Sequence, residues 1–148
     1  MERVKKIAFI LFMIYPIFSM GQDKRADKMF ADEDYKSALN SYLKTFEKEP
    51  YNPILAEKIA LCHNELQDFL IASEYFKEAS RLDPADEKYQ LEYAQALIYA
   101  MEIDRAESFL MGYVQKNNDS KEAEKLLKTC SHIKSWDEMQ DEFIVIPM

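Results

Sequence analysis

Two short groups of cysteine and histidine have side chains of the types that bind metal ions. Cys62 and His63 are adjacent, and Cys130 lies two positions before His132. A zinc site needs four ligands that converge on one ion at about 2.0–2.3 Å, whereas neighbouring residues on a helix point about 100° apart. The two cysteines are also 68 positions apart, which argues against a disulfide, whose Cα atoms must come within about 7 Å. The sequence therefore predicts no metal site and no cofactor, with both thiols packed as small apolar groups.

Clusters of carboxylates are the second candidate for chemistry, because closely spaced acids can hold calcium or act as a general-acid pair. They occur at Asp32-Glu33-Asp34 and between Asp137 and Glu142. No glycine follows either cluster at the spacing of a calcium-binding loop, so we interpret the first as a polar turn and the second as a solvated linker. The chain also lacks a GxSxG motif and any Ser-His-Asp arrangement typical of a nucleophile. We therefore expect a protein that is not an enzyme.

Composition limits the fold and the class of partner. The chain has 148 residues, 48% of them hydrophobic, which suffices for one modest domain with its own core. Its two glycines argue against all-β architectures built on tight turns and against glycine-rich phosphate loops. A formal net charge of −8 argues against nucleic acid as a partner, because no excess of cations is present to neutralise phosphates.

The N-terminal segment, residues 1–21, has the layout of a secretory signal peptide. A basic start precedes an apolar run over residues 7–18, and Ser19 and Gly21 supply the small residues of a cleavage site before Gln22. The apolar run is shorter than the roughly 20 residues that a membrane-spanning helix needs, which favours a signal peptide over the alternative of an uncleaved membrane anchor. We therefore expect export from the cytoplasm, with no transmembrane segment after cleavage.

The elements that position these residues follow an internal repeat. Three alanines are spaced by 34; each has a large apolar residue four positions later and another alanine twelve positions earlier. In chain order the three sets are Ala26, Ala38 and Tyr42; Ala60, Ala72 and Phe76; Ala94, Ala106 and Leu110. Steps of three and four place side chains on one helical face, and a small residue at a crossing point lets two helices approach closely. The spacing therefore predicts two helices in each repeat.

The predicted helices cover residues 23–32, 35–48, 53–66, 69–82, 86–100, 103–116 and 121–138. The breaks within each pair fall at polar residues, namely Asp32 to Asp34, Gln67 to Asp68, and Glu102. These helices account for most of the chain, so the fold class is all-α.

The pattern Ala-x3-aromatic-x2-Ala-x4-Pro, with a small residue twelve positions earlier, resembles the tetratricopeptide repeat. Three copies would cover residues 19–52, 53–86 and 87–120, followed by a capping helix over 121–138 and an apolar tail over 139–148. The resemblance implies an α-solenoid of three helix-turn-helix repeats. Some family positions differ here: Ala56, Ile59 and Ala60 stand where the family has Trp, Leu and Gly, and Asn118 replaces the closing Pro of the third copy. His63 stands where the family places an aromatic ring, which favours a place in the core.

A narrower resemblance concerns the runs Ala26 to Phe30, Asp34 to Ala38, Pro50 to Pro53, Ala56 to Ala60 and Glu92 to Leu97. They are similar to the N-terminal repeat domain of OmpA-family envelope proteins from gram-negative bacteria with type IX secretion. In that group a β-propeller and a peptidoglycan-binding domain follow the repeats, and this sequence contains neither. The resemblance implies a periplasmic or outer-membrane-associated protein.

The family's partner-binding face is the concave groove lined by the first helix of each repeat. By resemblance the groove residues are Asp27, Phe30, Leu61, Asn64, Glu65, Leu91, Gln95, Ile98, Lys125 and Thr129. For Leu61 and Leu91, packing between repeats is the competing interpretation. In some relatives a clamp of Lys, Asn and Arg in this groove holds a partner's C-terminal carboxylate. The matching positions here include Asp23, Asp27, Leu61, Lys88 and Glu92, of which only Lys88 fits, so binding of chaperone tails is not expected.

Two functions follow from the sequence. The first is a protein–protein interaction scaffold in the cell envelope, with a protein or peptide partner that belongs to an outer-membrane or secretion assembly. The alternative is a truncated fragment of an OmpA-like anchoring protein with no separate role. A homodimer through the terminal helices stays open, as does the role of the tail Phe143 to Met148 as a strand or as a segment folded back on the last helix. Trp136 is expected to close the end of the capping helix.

Overall fold

A computed structural model describes residues 24–144 of the chain, with side chains through residue 137; the predicted signal peptide lies outside these residues. The described part consists of seven helices and contains no strand, which confirms the all-α prediction. The helices are α1 (Lys24–Ala31), α2 (Tyr35–Phe46), α3 (Pro53–Glu65), α4 (Phe69–Leu82), α5 (Glu87–Tyr99), α6 (Ile103–Lys116) and α7 (Lys121–Ile144). No helix in this range is both long enough and apolar enough to cross a membrane.

Local side-chain hydrogen bonds fix where several helices begin. The Oδ1 atom of Asn52 accepts hydrogen bonds from the backbone N–H groups of Ile54 and Leu55, at 3.1 and 3.3 Å, and Pro53 occupies the first turn of α3. Asp34 caps α2 in the same way by accepting from the N–H of Ser37. These caps satisfy backbone donors that have no partner within the helix, which explains why short polar residues precede α2 and α3.

The break inside each repeat is a left-handed turn. Glu33, Gln67 and Met101 have φ angles of 62°, 64° and 60°, and they are the positive-φ residues among those described. The residue after each of them donates a backbone hydrogen bond to the carbonyl group five residues earlier. From Asp68 N to His63 O the distance is 2.8 Å. This is the Schellman arrangement, in which glycine is the usual residue, yet none of the three is glycine.

The core forms where paired helices cross. The repeat alanines at 26, 38, 60, 72, 94 and 106 are all buried, and the large residues Tyr42, Phe76 and Leu110 fill the space around them. Small residues allow the helix backbones to approach, and the bulky ones supply the buried apolar area.

Both cysteines are buried and free, as predicted for small apolar groups. Burial raises the pKa of the Cys62 thiol to about 11 and also raises the pKa of Cys130. His63 is half-buried and stacks on Tyr75, with ring centres 5.8 Å apart.

The capping helix is longer than the sequence indicated. It begins at Lys121 as predicted but continues to Ile144, so residues 139–144 of the predicted tail are helical. Lys134 anchors it to α6 by ion pairs with Asp104, at 2.6 Å, and with Glu107. The expectation that Trp136 closes the end of this helix was wrong: the helix continues to Ile144, and the Trp136 side chain is 65% exposed.

Candidate functional site

The first half of the candidate site joins α1 to α3. Lys58 donates a hydrogen bond from Nζ to Oδ1 of Asp27 at 2.5 Å, and the Tyr42 hydroxyl donates to the same oxygen at 2.6 Å. The Lys58 ammonium also lies 5.4 Å from the centre of the Tyr42 ring, within range of a cation–π contact. Burial opposes ionisation of Asp27, but the hydrogen bonds from Lys58 and Tyr42 outweigh it and lower the pKa of this carboxyl group.

The second half joins α3 to α5. Lys88 donates to Oε1 of Glu57 and lies 4.0 Å from Oε1 of Glu92, one turn further along its own helix. The hydrogen bond to Glu57 outweighs desolvation and raises the pKa of Lys88, which keeps this ammonium charged.

Glu92 differs from Asp27 and Glu57, the other carboxylates in these ion pairs. Its side chain is 24% exposed, and burial raises its pKa despite the nearby Lys88. Its Oε2 atom is fully buried, and no donor in the part of the chain that the structure describes reaches it. A buried carboxylate oxygen without a donor is unfavourable, which makes Glu92 a candidate for contact with a ligand.

The ion pairs follow a register of 31 residues. Asp27 with Lys58 and Glu57 with Lys88 are both 31 positions apart, three fewer than the repeat length. The difference of three residues between this spacing and the repeat length arises because each first helix is shifted by about one turn along the next one. The same register places Glu92 opposite Leu61.

A shallow depression of about 160 Å³ lies beside the first ion pair. Its lining residues are Asp27, Phe30, Tyr42, Lys58 and Leu61. Three of the predicted groove residues, Asp27, Phe30 and Leu61, are therefore brought together. The lining is an apolar wall next to one neutralised ion pair, which suits an apolar side chain of a partner.

Four other predicted residues lie further along the first helices. Asn64 is half-buried, and its Oδ1 atom has no donor among the described residues. Glu65 is exposed and lies close to Tyr35 at the start of α2. Gln95 is exposed and donates to the Tyr99 hydroxyl at 2.8 Å. Leu91 is half-buried and packs against the core, in keeping with packing between repeats.

Burial removes Ile98 from the accessible groove. Its side chain is 6% exposed and belongs to the central core cluster with Tyr93 and Ile103. The sequence indicates the groove because Ile98 stands 34 residues after Asn64, but its side chain packs into the central core.

The two predicted residues of the capping helix make only local contacts. Lys125 pairs with Glu122 at 3.3 Å, and the Thr129 hydroxyl donates to the Lys125 carbonyl at 3.1 Å. Both side chains are exposed and available to a partner.

Sequence reasoning missed Glu57 and Lys58. The signal that reveals them is a pair of opposite charges 31 residues apart on consecutive first helices, repeated with Lys88. Arg105 and Glu74 show the same spacing on the second helices, with 3.2 Å between Nη2 and Oε1.

Two candidates for chemistry from the sequence, a metal site and a carboxylate clamp, can be compared with the geometry. Within the side chains that are described, no three residues of the types His, Cys, Asp and Glu come together as a metal-binding group. Lys88, the one position that fits the carboxylate clamp, is already engaged by Glu57 and Glu92.

Comparison by sequence identifies no relative. No protein-family model matches the chain, and the search of curated proteins gives no significant match.

Solved structures match the fold. The first TPR domain of human RPAP3 has a TM-score of 0.66 at 21% identity, over 83% of this chain and 97% of that one. The Sgt2 TPR domain of Aspergillus fumigatus gives 0.62 at 18% identity, over 86% and 83%. The Yersinia enterocolitica type III secretion chaperone SycD, in complex with a peptide of the translocator YopD, gives 0.64 at 14% identity, over 76% and 92%. The chain therefore has the fold of a tetratricopeptide-repeat solenoid.

Proposed function

We propose that this chain is a non-enzymatic protein-interaction module that binds an extended segment of a partner protein in the groove of its first helices. The observation that carries the proposal is the apolar depression between α1 and α3, bordered by the Asp27–Lys58 ion pair. A repeat array presents such a groove as a continuous surface, along which an extended segment can contact several first helices.

Two structural neighbours agree with this use of the fold. The first TPR of Spaghetti (RPAP3) was solved bound to the HSP90 peptide SRMEEVD, and SycD was solved with a peptide of YopD. Their ligands come from different proteins, which supports peptide binding as a general use of the fold, with the side chains in each groove setting the specificity.

Selection from a phage-displayed library of random octapeptides tests the proposal. We expect the full chain to enrich specific peptides and Leu61→Asp, which places a charge in the depression, to lose them. Leu70→Asp is the matched control, because Leu70 is exposed on α4 and outside the depression. Circular dichroism establishes that each variant is folded, and Asp27→Asn provides a milder change in the same depression. Enrichment that is the same for wild type and both groove variants would contradict the proposal.

We further propose that the module works in the periplasm or at the outer membrane, as a scaffold for an outer-membrane or secretion assembly. The basic start, the apolar run over residues 7–18 and the small residues before Gln22 support export. Fractionation of gram-negative cells that express the full chain, followed by intact mass measurement, tests this. A periplasmic product that begins at Gln22 is expected, and a cytoplasmic product of full mass would contradict it.

A further inference from the structure

The ionic row across the groove has more carboxylates than cations. This row consists of the Asp27–Lys58 pair between α1 and α3, and of Lys88 on α5 with its two carboxylates, Glu57 on α3 and Glu92 on α5. Lys58 is held by Asp27, and Lys88 donates to Glu57. Glu92 is left at the end of the row with a single cation, at 4.0 Å, the longest ion pair of the set.

Two side chains on the first helices have buried oxygens without donors in the described part of the chain. The buried side-chain oxygens that have no partner among the described residues are Oε2 of Glu92 and Oδ1 of Asn64. Both belong to first helices, and Asn64 lies three residues after Leu61, on the same side of α3. Each atom is an acceptor, so an N–H donor of a ligand that reaches it on binding would satisfy it, whereas a carboxylate would not.

We propose, on the basis of the proposed function, that the groove recognises an extended segment with a lysine or arginine near an apolar side chain. The cation would pair with Glu92, and the apolar side chain would enter the depression lined by Phe30, Tyr42 and Leu61.

Helix spacing fixes the separation of the two recognised side chains. The depression lies between α1 and α3, and the 31-residue register places Glu92 across from Leu61 on the next first helix, α5. Packed helices lie about 8–10 Å apart, and an extended chain advances about 3.3 Å per residue. The cation and the apolar residue of the partner should therefore be two or three positions apart.

Charge complementarity selects this occupant over an anionic one. Both lysines of the row are already paired inside the protein, and the chain carries a formal net charge of −8. A partner segment that ends in acidic residues would bring its carboxylates against Glu92 with no free cation in the row to receive them.

The composition of the octapeptides selected from the phage library tests this proposal. We expect peptides that depend on Leu61 to be enriched in lysine or arginine two or three positions from an apolar residue. Selection on Glu92→Lys should reverse the preference and enrich aspartate or glutamate.

One selected peptide, labelled with fluorescein, then supplies the affinities by fluorescence anisotropy. Replacement of its cation by glutamine is expected to weaken binding to wild type at least fivefold at low salt, and less at 0.3 M NaCl, because exposed charges are screened. Glu92→Gln should bind both peptides equally. Glu47→Gln, the same charge change at an exposed position after α2, should retain the wild-type preference.

The outcomes separate this proposal from the one on which it rests. Groove-dependent peptides without a cation, or an unchanged preference in Glu92→Gln, would overturn the cationic partner and leave the peptide-binding function in place. A library that yields no peptide dependent on Leu61 would overturn both.

Discussion

Glycine at the left-handed turns should stabilise this protein. Gln67 has a φ angle of 64°, where a side chain with a Cβ atom is strained by roughly 1–2 kcal/mol. Glycine removes that strain but makes the unfolded chain more flexible, which costs about 0.4–1 kcal/mol. Gln67→Gly should therefore gain about 0.5–1 kcal/mol in free energy of unfolding.

The three turns allow the effect to be amplified. Glu33, Gln67 and Met101 occupy the same position in successive repeats, so the triple glycine variant should gain about 1.5–3 kcal/mol if the sites act independently. With an unfolding entropy of about 2.1 cal/mol/K per residue over roughly 120 ordered residues, 1 kcal/mol corresponds to about 4 °C in Tm. The expected rise is thus about 2–4 °C for one substitution and about 6–12 °C for three.

Differential scanning calorimetry with two control variants tests the reasoning. Gln67→Ala removes the same polar side chain but keeps the Cβ atom, so it should show no comparable gain. Asp68→Gly places glycine one residue later, where φ is −86°, and should lower the Tm. A Gln67→Gly variant no more stable than Gln67→Ala would refute the attribution of strain to the Cβ atom.

Three further predictions concern buried groups. Burial raises the pKa of Glu92, so the folded state disfavours the charged carboxylate. The free energy of unfolding therefore falls as the pH rises through the folded pKa of this group. Glu92→Gln should resist urea better than wild type at about pH 7 and lose that advantage below about pH 4. Phe76→Ala should cost about 3–5 kcal/mol in urea unfolding because the ring is fully buried, whereas Tyr51→Ala, at an exposed ring, should change stability by less than about 0.5 kcal/mol. The Cys62 thiol, buried and with its pKa raised to about 11, should react with a disulfide reagent only after unfolding, so reaction in the native state at the denatured rate would contradict its burial.

The helix boundaries were largely predictable because the local signals agree with one another. Pro53 at the start of α3, the polar residues of the turns and the 34-residue spacing all indicate the same helix pairs. The end of α7 is not predictable in this way, because the acidic stretch from Asp137 to Glu142 has the composition of a solvated linker. Glutamate and glutamine are good helix formers, and the next helix breaker is Pro147, so propensity alone allows the helix to continue.

The candidate site was predictable only in part. The repeat alignment placed Asp27, Phe30 and Leu61 on successive first helices, and they share one depression. It could not place Ile98, because groove and core positions differ by less than one helical turn, and this side chain packs into the central core. It also missed Lys58, because the register of 31 depends on the offset between neighbouring helices, which the repeat length of 34 does not contain.

Two kinds of residue in this chain lower its stability, namely the left-handed turn residues and Glu92. Substitutions at the two kinds should have different effects on peptide binding. The left-handed residues recur in all three repeats and lie in turns, so glycine there should raise stability with no effect on peptide binding. Glu92 occurs once, at the end of the ionic row, with a buried oxygen that no described residue satisfies. Its replacement by glutamine should also raise stability near neutral pH, but it should abolish the preference for a cationic segment. A residue that lowers stability and confers specificity is expected at a binding site, whereas strain shared by every repeat is a property of the turn.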